Sequence, residues 1–250
     1  MQTPAARGLW RWWVAKEASR PHRRGRTKSF DDRYRWIGPA IFALTISYFI
    51  AQVFVAAAFT PSYSWLTNTI SDLGNTSCKV QLCSPRHVWM NAAFIALGGF
   101  MLLGSPLIFE EFSERGPDQR AAARLGFGLT AIGGLGAVIV GLFPENTVGL
   151  VHVIGAGFGI GLGTLGILVL GLALSLSSRP LRLAMRVVPP IALVALVLFA
   201  TRHYLGLGAG TMERIAAYPE AIWLVVFGVY ISHSRFVRAA RRPLLTPPPA

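Results

Sequence analysis

Long runs of apolar residues, separated by short polar segments, dominate this chain of 250 residues. A helix of about 20 apolar residues is long enough to cross the hydrocarbon layer of a bilayer, which is roughly 30 Å thick. Six runs reach that length, so the pattern predicts an all-α, polytopic bundle of six transmembrane helices. The predicted helices are Trp36–Phe59, Val88–Ile108, Leu125–Phe143, Val151–Leu176, Val187–Leu207 and Ile215–His233.

Charge is scarce and unevenly placed. Charged residues make up 14% of the chain, against roughly 25% in soluble domains. The net charge of +13 arises largely from Lys and Arg in the first 35 residues and in alternate segments between the helices. This pattern follows the positive-inside rule and does not indicate binding of nucleic acid. It predicts a multi-pass protein of the plasma membrane with both termini in the cytoplasm.

The same pattern divides the chain into three parts. Residues 1–35 form a basic cytoplasmic arm without regular apolar spacing, and residues 36–234 form the transmembrane domain. Residues 235–250 form a basic, Pro-rich cytoplasmic tail. The arm either only orients the first helix or also contacts anionic lipid, since Arg and Trp both favour the membrane interface.

Glycine recurs at helical spacing in the fourth predicted helix, at Gly155, Gly159 and Gly163. Stripes of small residues let helix backbones approach closely inside a membrane. Packing is therefore the favoured interpretation of this stripe. The alternative is a ligand or lipid tail lying against bare backbone.

Polar residues collect on the side of the membrane that is predicted to face outward. They come from four helix ends and the loops between them: Asp72, Asn75, Arg86, His87, Asn91, Glu145, Asn146, His152, His203, Glu213, Arg214 and Tyr218. Ionisable groups at a membrane boundary are usually paired or functional. A structural explanation is that Arg202 and Arg214 pair with the two glutamates. The concentration on one face favours a binding site.

Cys78 and Cys83 are the two cysteines of the chain, and both lie in the first outer loop. On an oxidising face they predict a disulfide that braces the loop. Their spacing differs from that of a structural zinc site. No catalytic motif or cofactor fingerprint is present, so the sequence leaves any cofactor unknown.

The motifs Ile70-Ser-Asp-Leu-Gly-Asn, Ser84-Pro-Arg-His, Leu142-Phe-Pro-Glu-Asn and Met212-Glu-Arg fall in order at helix ends. Together with Met90-Asn, His152, Tyr218 and Trp223 they resemble domain-of-unknown-function family 998, bacterial and archaeal membrane proteins. The resemblance covers roughly residues 36–234. It implies the six-helix fold and distant kinship with membrane proteins of the damage-regulated autophagy modulator type. It implies no activity.

Three functions remain open, and the favoured one is binding. An outer polar pocket above the glycine-lined helices would hold a membrane lipid or an accessory protein.

The second is an interfacial enzyme acting on a lipid or its head group, with Asp72 or Glu145 as general base and His152 or His203 as its partner. Arg86 and Arg214 would clamp a phosphate. A metal-dependent variant would use Asp72, His87 and His152 as ligands. Transport is the least favoured function, because the helix centres carry no obvious charge and the two halves show no internal symmetry.

Overall fold

The structure is a computed structural model that describes residues 12, 14–16, 36–113 and 115–245, with side chains described as far as residue 236. From residue 36 onward the helices are α1 Ile37–Ala43, α2 Ile46–Ala56, α3 His87–Phe109, α4 Pro117–Leu142, α5 Gly149–Ala173, α6 Arg179–Ala200 and α7 Ala209–Leu245. Among these described residues, six stretches are long and apolar enough to cross a membrane, and α1 and α2 together form the first of them. The predicted six-helix membrane fold is confirmed. The predicted basic arm falls almost entirely outside the described residues.

Several helix boundaries differ from the prediction, and α4 begins at Pro117 where Leu125 was predicted. The helix α6 begins at Arg179, where the Ser178 hydroxyl accepts from the backbone N–H of Leu181, and it ends at Ala200. The prediction that this helix continues to Leu207 is wrong, because Arg202 adopts a left-handed φ of 60° and residues 201–208 form a loop. Helix α7 begins at Ala209 and continues to Leu245, into the segment predicted as a tail.

Helices α4 and α5 pack with their backbones in close contact. A Cβ atom on Gly136 would overlap the Gly155 carbonyl oxygen and the Gly159 nitrogen. A larger residue at position 136 therefore has no room without separating the helices. This geometry agrees with the packing interpretation for Gly155 and Gly159.

Loops and turns at residues 57–86, 143–148 and 201–208 lie at one end of the bundle, which we call the loop face. The interior toward the other end is filled by aromatic rings, which we call the aromatic cluster: Phe42, Phe112, Phe127, Trp223 and Phe227. The ring centroids of Trp223 and Phe227 are stacked 4.7 Å apart. The bundle interior is thus polar near one end and closed by aromatic rings near the other.

Candidate functional site

The first loop is folded by its own polar side chains. Thr69 and Asp72 form a reciprocal capping box, in which the Asp72 N–H donates to Thr69 Oγ1 at 3.0 Å and the Thr69 N–H donates to Asp72 Oδ2 at 2.9 Å. This arrangement starts the short 3₁₀ helix Ser71–Gly74. Farther along the loop, Cys78 and Cys83 are joined by a disulfide. The loop therefore presents Ser71 and Asp72 on a fixed backbone.

Ser71 meets two side chains from distant helices. Its Oγ lies 2.9 Å from His152 Nε2 and 3.2 Å from Glu213 Oε1. The second oxygen of Glu213 accepts from the backbone N–H of Ile70. His152 Nδ1 lies 2.9 Å from the Phe143 carbonyl oxygen and donates its proton to it, so Nε2 is an acceptor. Nε2 and Glu213 Oε1 are thus both acceptors for the single hydrogen of the Ser71 hydroxyl.

Glu145, in the turn between α4 and α5, lies against Asp72. The two carboxyl groups share a hydrogen bond. Burial, together with the negative charges of Asp72 and Glu213, raises the pKa of Glu145 to about 8. At neutral pH Glu145 therefore holds a proton and donates it to Asp72. Within the described part of the chain, neither carboxyl forms a salt bridge with Lys or Arg.

Arg214 follows Glu213 directly in the sequence, but its hydrogen bonds go to carbonyl and hydroxyl oxygens and not to the carboxyl groups. Its Nη1 donates to three carbonyl oxygens, those of Trp65 at 2.9 Å, Asn68 at 3.0 Å and Gly210 at 2.7 Å. Its Nη2 donates to the Tyr63 hydroxyl, and Nε donates to Tyr218 at 3.2 Å. The guanidinium is saturated by the first loop and by α7, so it anchors the loop to the helix.

Three other predicted site residues lie apart from the cluster. Arg86 donates to the Phe54 carbonyl oxygen at 2.9 Å and stacks over the Phe54 ring. His87, the first residue of α3, has its Nδ1 2.9 Å from the carbonyl oxygen of Ser84, just before that helix. His203 is exposed, and its Nδ1 lies 3.2 Å from Thr201. The prediction that His203 sits at a helix end is wrong, because α6 stops before it.

The remaining predicted residues hold the loop face together. Asn75 accepts from the N–H and hydroxyl of Ser77, and Asn91 donates to the Gly74 carbonyl oxygen at 3.0 Å. Asn146 ties the second turn to the first loop by two hydrogen bonds with Thr76. The Tyr218 hydroxyl donates to Gln52 at 2.7 Å.

No group of three or more His, Cys, Asp or Glu among the described residues is arranged to hold a metal ion. The three candidate ligands Asp72, His87 and His152 are accordingly not brought together. His87 faces a backbone carbonyl, whereas His152 faces Ser71 and Phe143.

Glu220 is not among the site residues predicted from the sequence. It lies on the same face of α7 as Glu213, two helical turns further into the membrane, with only 6% of its surface exposed. Its Oε1 has no hydrogen-bond partner in the part of the chain that the structure describes. The expectation that the helix centres carry no charge-bearing group is therefore wrong.

A cavity of about 50 Å³ connects Glu220 to the loop-face residues. Its polar lining includes Ser71, Glu213 and Glu220, and most of the remaining wall is apolar, with Phe94, Leu97 and Ala217 among its residues. The signal for this feature was present in the sequence as one carboxyl within an apolar run.

Comparison with curated proteins and with solved structures finds no significant match in either. A family described as a protein of unknown function (DUF998) matches residues 42–230. That match covers four of the six membrane-crossing stretches completely and most of the first and the last, and it includes Ser71, Asp72, Glu145, His152 and Glu213. It confirms the resemblance inferred from the helix-end motifs, and the chain belongs to the DUF998 family.

Proposed function

We propose that this protein binds a membrane lipid, and that the Asp72–Glu145 carboxyl pair at the loop face holds the amine of the lipid head group. The observation that carries the proposal is the pairing itself. The carboxyl group of Glu145 is hydrogen-bonded to that of Asp72, and neither has a cationic partner among the described residues. A cation is the ligand that such a pair lacks.

The positions of the arginines favour an amine over a phosphate as the recognised group. Arg214 already donates to three backbone carbonyls and two tyrosine hydroxyls. Arg86 lies on Phe54, outside the cluster. The Arg214 guanidinium is therefore not free to form the bidentate contact that phosphate recognition uses, and Arg86 contacts Phe54 and not the carboxyl pair. Ser71 and His152 add neutral polar groups beside the pair.

The raised pKa of Glu145 links binding to pH. A bound ammonium group favours the ionised form of Glu145, so binding releases the proton that Glu145 shares with Asp72. Affinity for the amine should therefore rise as the pH increases toward about 8, and should fall below it, because the proton then competes with the amine.

The test is native mass spectrometry of the detergent-released full chain, incubated with either phosphatidylethanolamine or phosphatidylglycerol. We expect the wild type to retain the amine lipid preferentially and to retain more of it at about pH 8 than at about pH 6. The Asp72→Asn, Glu145→Gln double variant should lose both the preference and the pH dependence. Asp118→Asn, an exposed carboxyl far from the loop face, is the control and should keep both.

Equal retention of the two lipids by the wild type would overturn the proposal. So would a preference that survives in the double variant, because the amine would then bind elsewhere.

One observation favours a second candidate, an interfacial acyl hydrolase or transferase. Ser71 Oγ lies 2.9 Å from His152 Nε2, and the His152 ring is oriented by the Phe143 carbonyl. This is the arrangement of an activated serine nucleophile. Ser71 Oγ would attack an ester carbonyl, its proton would pass to Nε2, and His152 would return that proton to the leaving alkoxide.

A fluorophosphonate probe, which reacts with activated serine hydroxyls, distinguishes this candidate. Labelling that disappears in Ser71→Ala and in His152→Ala, and persists in Ser177→Ala, would support an enzyme. Ser177 is a suitable control because its hydroxyl also has a hydrogen bond, 2.8 Å from Tyr230. Absence of labelling in the folded wild type would remove this candidate and leave the binding proposal intact.

A further inference from the structure

Glu220 is a carboxyl group deep inside the bundle. It lies 11 residues after the start of α7 at Ala209, which corresponds to roughly 16 Å along the helix axis. Only 6% of the Glu220 surface is exposed, and Oε1 lacks a hydrogen-bond partner among the described residues. An isolated carboxylate charge at such a depth is costly, so the group must hold a proton or a cation.

The neighbouring helix α5 has a glycine, Gly163, at the point where it contacts this carboxyl group. The carboxyl occupies the position that a Cβ atom on Gly163 would need. The glycine at position 163 therefore gives space to the Glu220 carboxyl group, whereas Gly155 and Gly159 give space to residues of α4. The glycine stripe of α5 therefore both packs against α4 and makes room for a buried carboxyl group.

The cavity leads from Glu220 toward the loop face. Its volume of about 50 Å³ is several times the roughly 10–15 Å³ that one water molecule needs by the same measure. Ser71 and Glu213 line its upper part, and Ser71 is partly exposed. A short chain of water molecules therefore fits between the buried carboxyl and the loop-face polar groups.

Within the part of the chain that the structure describes, few titratable groups line the cavity beside Glu220. Those lining the cavity are Tyr48 from α2 and Glu213 from α7, while α3, α4 and α5 contribute only apolar residues and glycine. No lining residue comes from α6. On the side away from the loop face, Trp223 and Phe227 of the aromatic cluster are stacked and buried. Polar access is therefore one-sided.

We propose that Glu220 is a proton-binding site inside the membrane, which exchanges its proton with water at the loop face through this cavity. The proton leaves the Glu220 carboxyl for a neighbouring water and passes along hydrogen bonds to the level of Ser71 and Glu213. The reverse path returns a proton to the carboxylate. The site is separate from the Asp72–Glu145 pair and does not depend on lipid binding there.

The sparse oxygen lining favours a proton over a metal cation. A hard cation typically needs about six oxygen ligands. Glu213 lies seven residues from Glu220 on the same helix, or roughly 10 Å along the axis, and its two oxygens accept from Ile70 and Ser71. A proton needs only the carboxyl and one acceptor at a time.

The test is infrared spectroscopy of the full chain in lipid vesicles, comparing the wild type with Glu220→Gln in H₂O and in D₂O. We expect the wild type to show the C=O stretching band of a protonated carboxyl that is missing from the variant. We also expect that band to shift promptly after transfer to D₂O. Glu220→Asp should keep a carboxyl band, which separates loss of the group from loss of the fold.

A matched pair of substitutions tests the route. Ala217 lines the cavity between Glu213 and Glu220, so Ala217→Leu should slow the D₂O shift by an order of magnitude or more. Ala92, an exposed residue on α3, provides the control, and Ala92→Leu should leave the shift unchanged.

Two results would overturn the proposal. One is the absence of a Glu220-dependent carboxyl band, which would mean that the group is ionised and held by a cation. The other is a band that does not shift in D₂O, or that shifts equally fast in Ala217→Leu, because the carboxyl would then have no route through the cavity. Neither result bears on amine binding at the loop face.

Discussion

Two buried ionisable side chains of α7, six residues apart, differ in how well they are hydrogen-bonded. Arg214 has 9% of its surface exposed, and all three guanidinium nitrogens donate hydrogen bonds. Glu220 has 6% exposed, and one of its oxygens has no partner among the described residues. Burial alone therefore does not separate structural from functional charge. The difference lies in whether the surroundings satisfy the group.

This comparison assigns the two regions different roles. The Arg214 network joins the first loop to α7 and fixes the position of Ser71 and Asp72. The Glu220 region has a cavity, a glycine that makes room and an unsatisfied oxygen, which together add nothing to stability. The cost of such a group inside a membrane supports the proposal that Glu220 binds a proton.

The largest expected effect is the loss of the Arg214 network. Arg214→Ala leaves carbonyl oxygens of the first loop without their donor, and each unsatisfied buried group costs about 1–3 kcal/mol. We expect a destabilisation of about 3 kcal/mol or more in total. Thermal unfolding in detergent, followed by tryptophan fluorescence, measures it.

Arg214→Lys should recover only part of this loss, because an ammonium group cannot reproduce the fork of donors. Arg86→Ala is the control, since Arg86 has one carbonyl contact at the surface and should change stability by less than about 1 kcal/mol. Equal melting temperatures for Arg214→Ala and Arg86→Ala would show that the network does not hold the loop.

The next effect concerns the space around Glu220. A methyl group at position 163 would overlap the Glu220 carboxyl, so Gly163→Ala should destabilise the bundle by about 1–3 kcal/mol, the usual range for overpacking. Gly157→Ala, on the same helix with nothing near its Cβ position, should be close to neutral. Thermal unfolding of both variants in the same detergent makes the comparison.

A double variant identifies the contact. If the carboxyl is what the methyl group meets, Gly163→Ala combined with Glu220→Ala should cost less than the sum of the two single changes. Strict additivity would contradict the geometry at position 163.

The sequence predicts the fold better than it predicts the site, for physical reasons. The six membrane-crossing stretches are visible because apolar length is a local property. The end of α6 was misplaced because apolar residues continue through Leu205 and Leu207, while the helix stops at a left-handed Arg202. A break in backbone conformation leaves no trace in hydropathy.

The polar residues at the loop face were recognisable, but their partners were not. Ser71 and His152 are 81 residues apart, and only the packing of α4, α5 and α7 brings them together. Arg214 was expected to pair with glutamate and instead contacts backbone carbonyls, which no sequence pattern displays. Glu220 was overlooked because one carboxyl hardly changes the hydropathy of an apolar run of 28 residues.

A smaller effect on stability is expected at Glu145. Its hydrogen bonding is intermediate between that of Arg214 and that of Glu220, because it has one carboxyl partner, Asp72. Its pKa is about 8 in the folded chain against an ordinary value of 4.5. The folded chain therefore binds more protons than the unfolded chain between these values, and its contribution to stability decreases as pH rises through that window. That contribution is fully present below pH 4.5.

Melting temperatures recorded across this window test the sign. The wild type should lose stability from about pH 5 to about pH 8, and Glu145→Gln should lose less, because the amide does not titrate. Asp118→Asn should follow the wild type. A wild-type curve that rises over the window, or that Glu145→Gln leaves unchanged, would contradict the assignment of the raised pKa to the Asp72–Glu145 contact.

The smallest expected effect is at Glu220, and it is the sharpest test of the comparison. Replacing a buried group that has an unpaired oxygen removes little stabilisation. Glu220→Gln should therefore change the free energy of unfolding by less than about 1 kcal/mol. Replacement by leucine should be neutral or stabilising, because an apolar side chain avoids the desolvation cost of the carboxyl. Thermal unfolding of the Glu220 variants and of Arg214→Ala in the same detergent compares the two positions directly.

A loss of stability in Glu220→Gln as large as that in Arg214→Ala would mean that Glu220 has a structural partner and that the two regions are alike. A retained melting temperature, together with loss of the carboxyl band, would mean that the fold does not need this proton site.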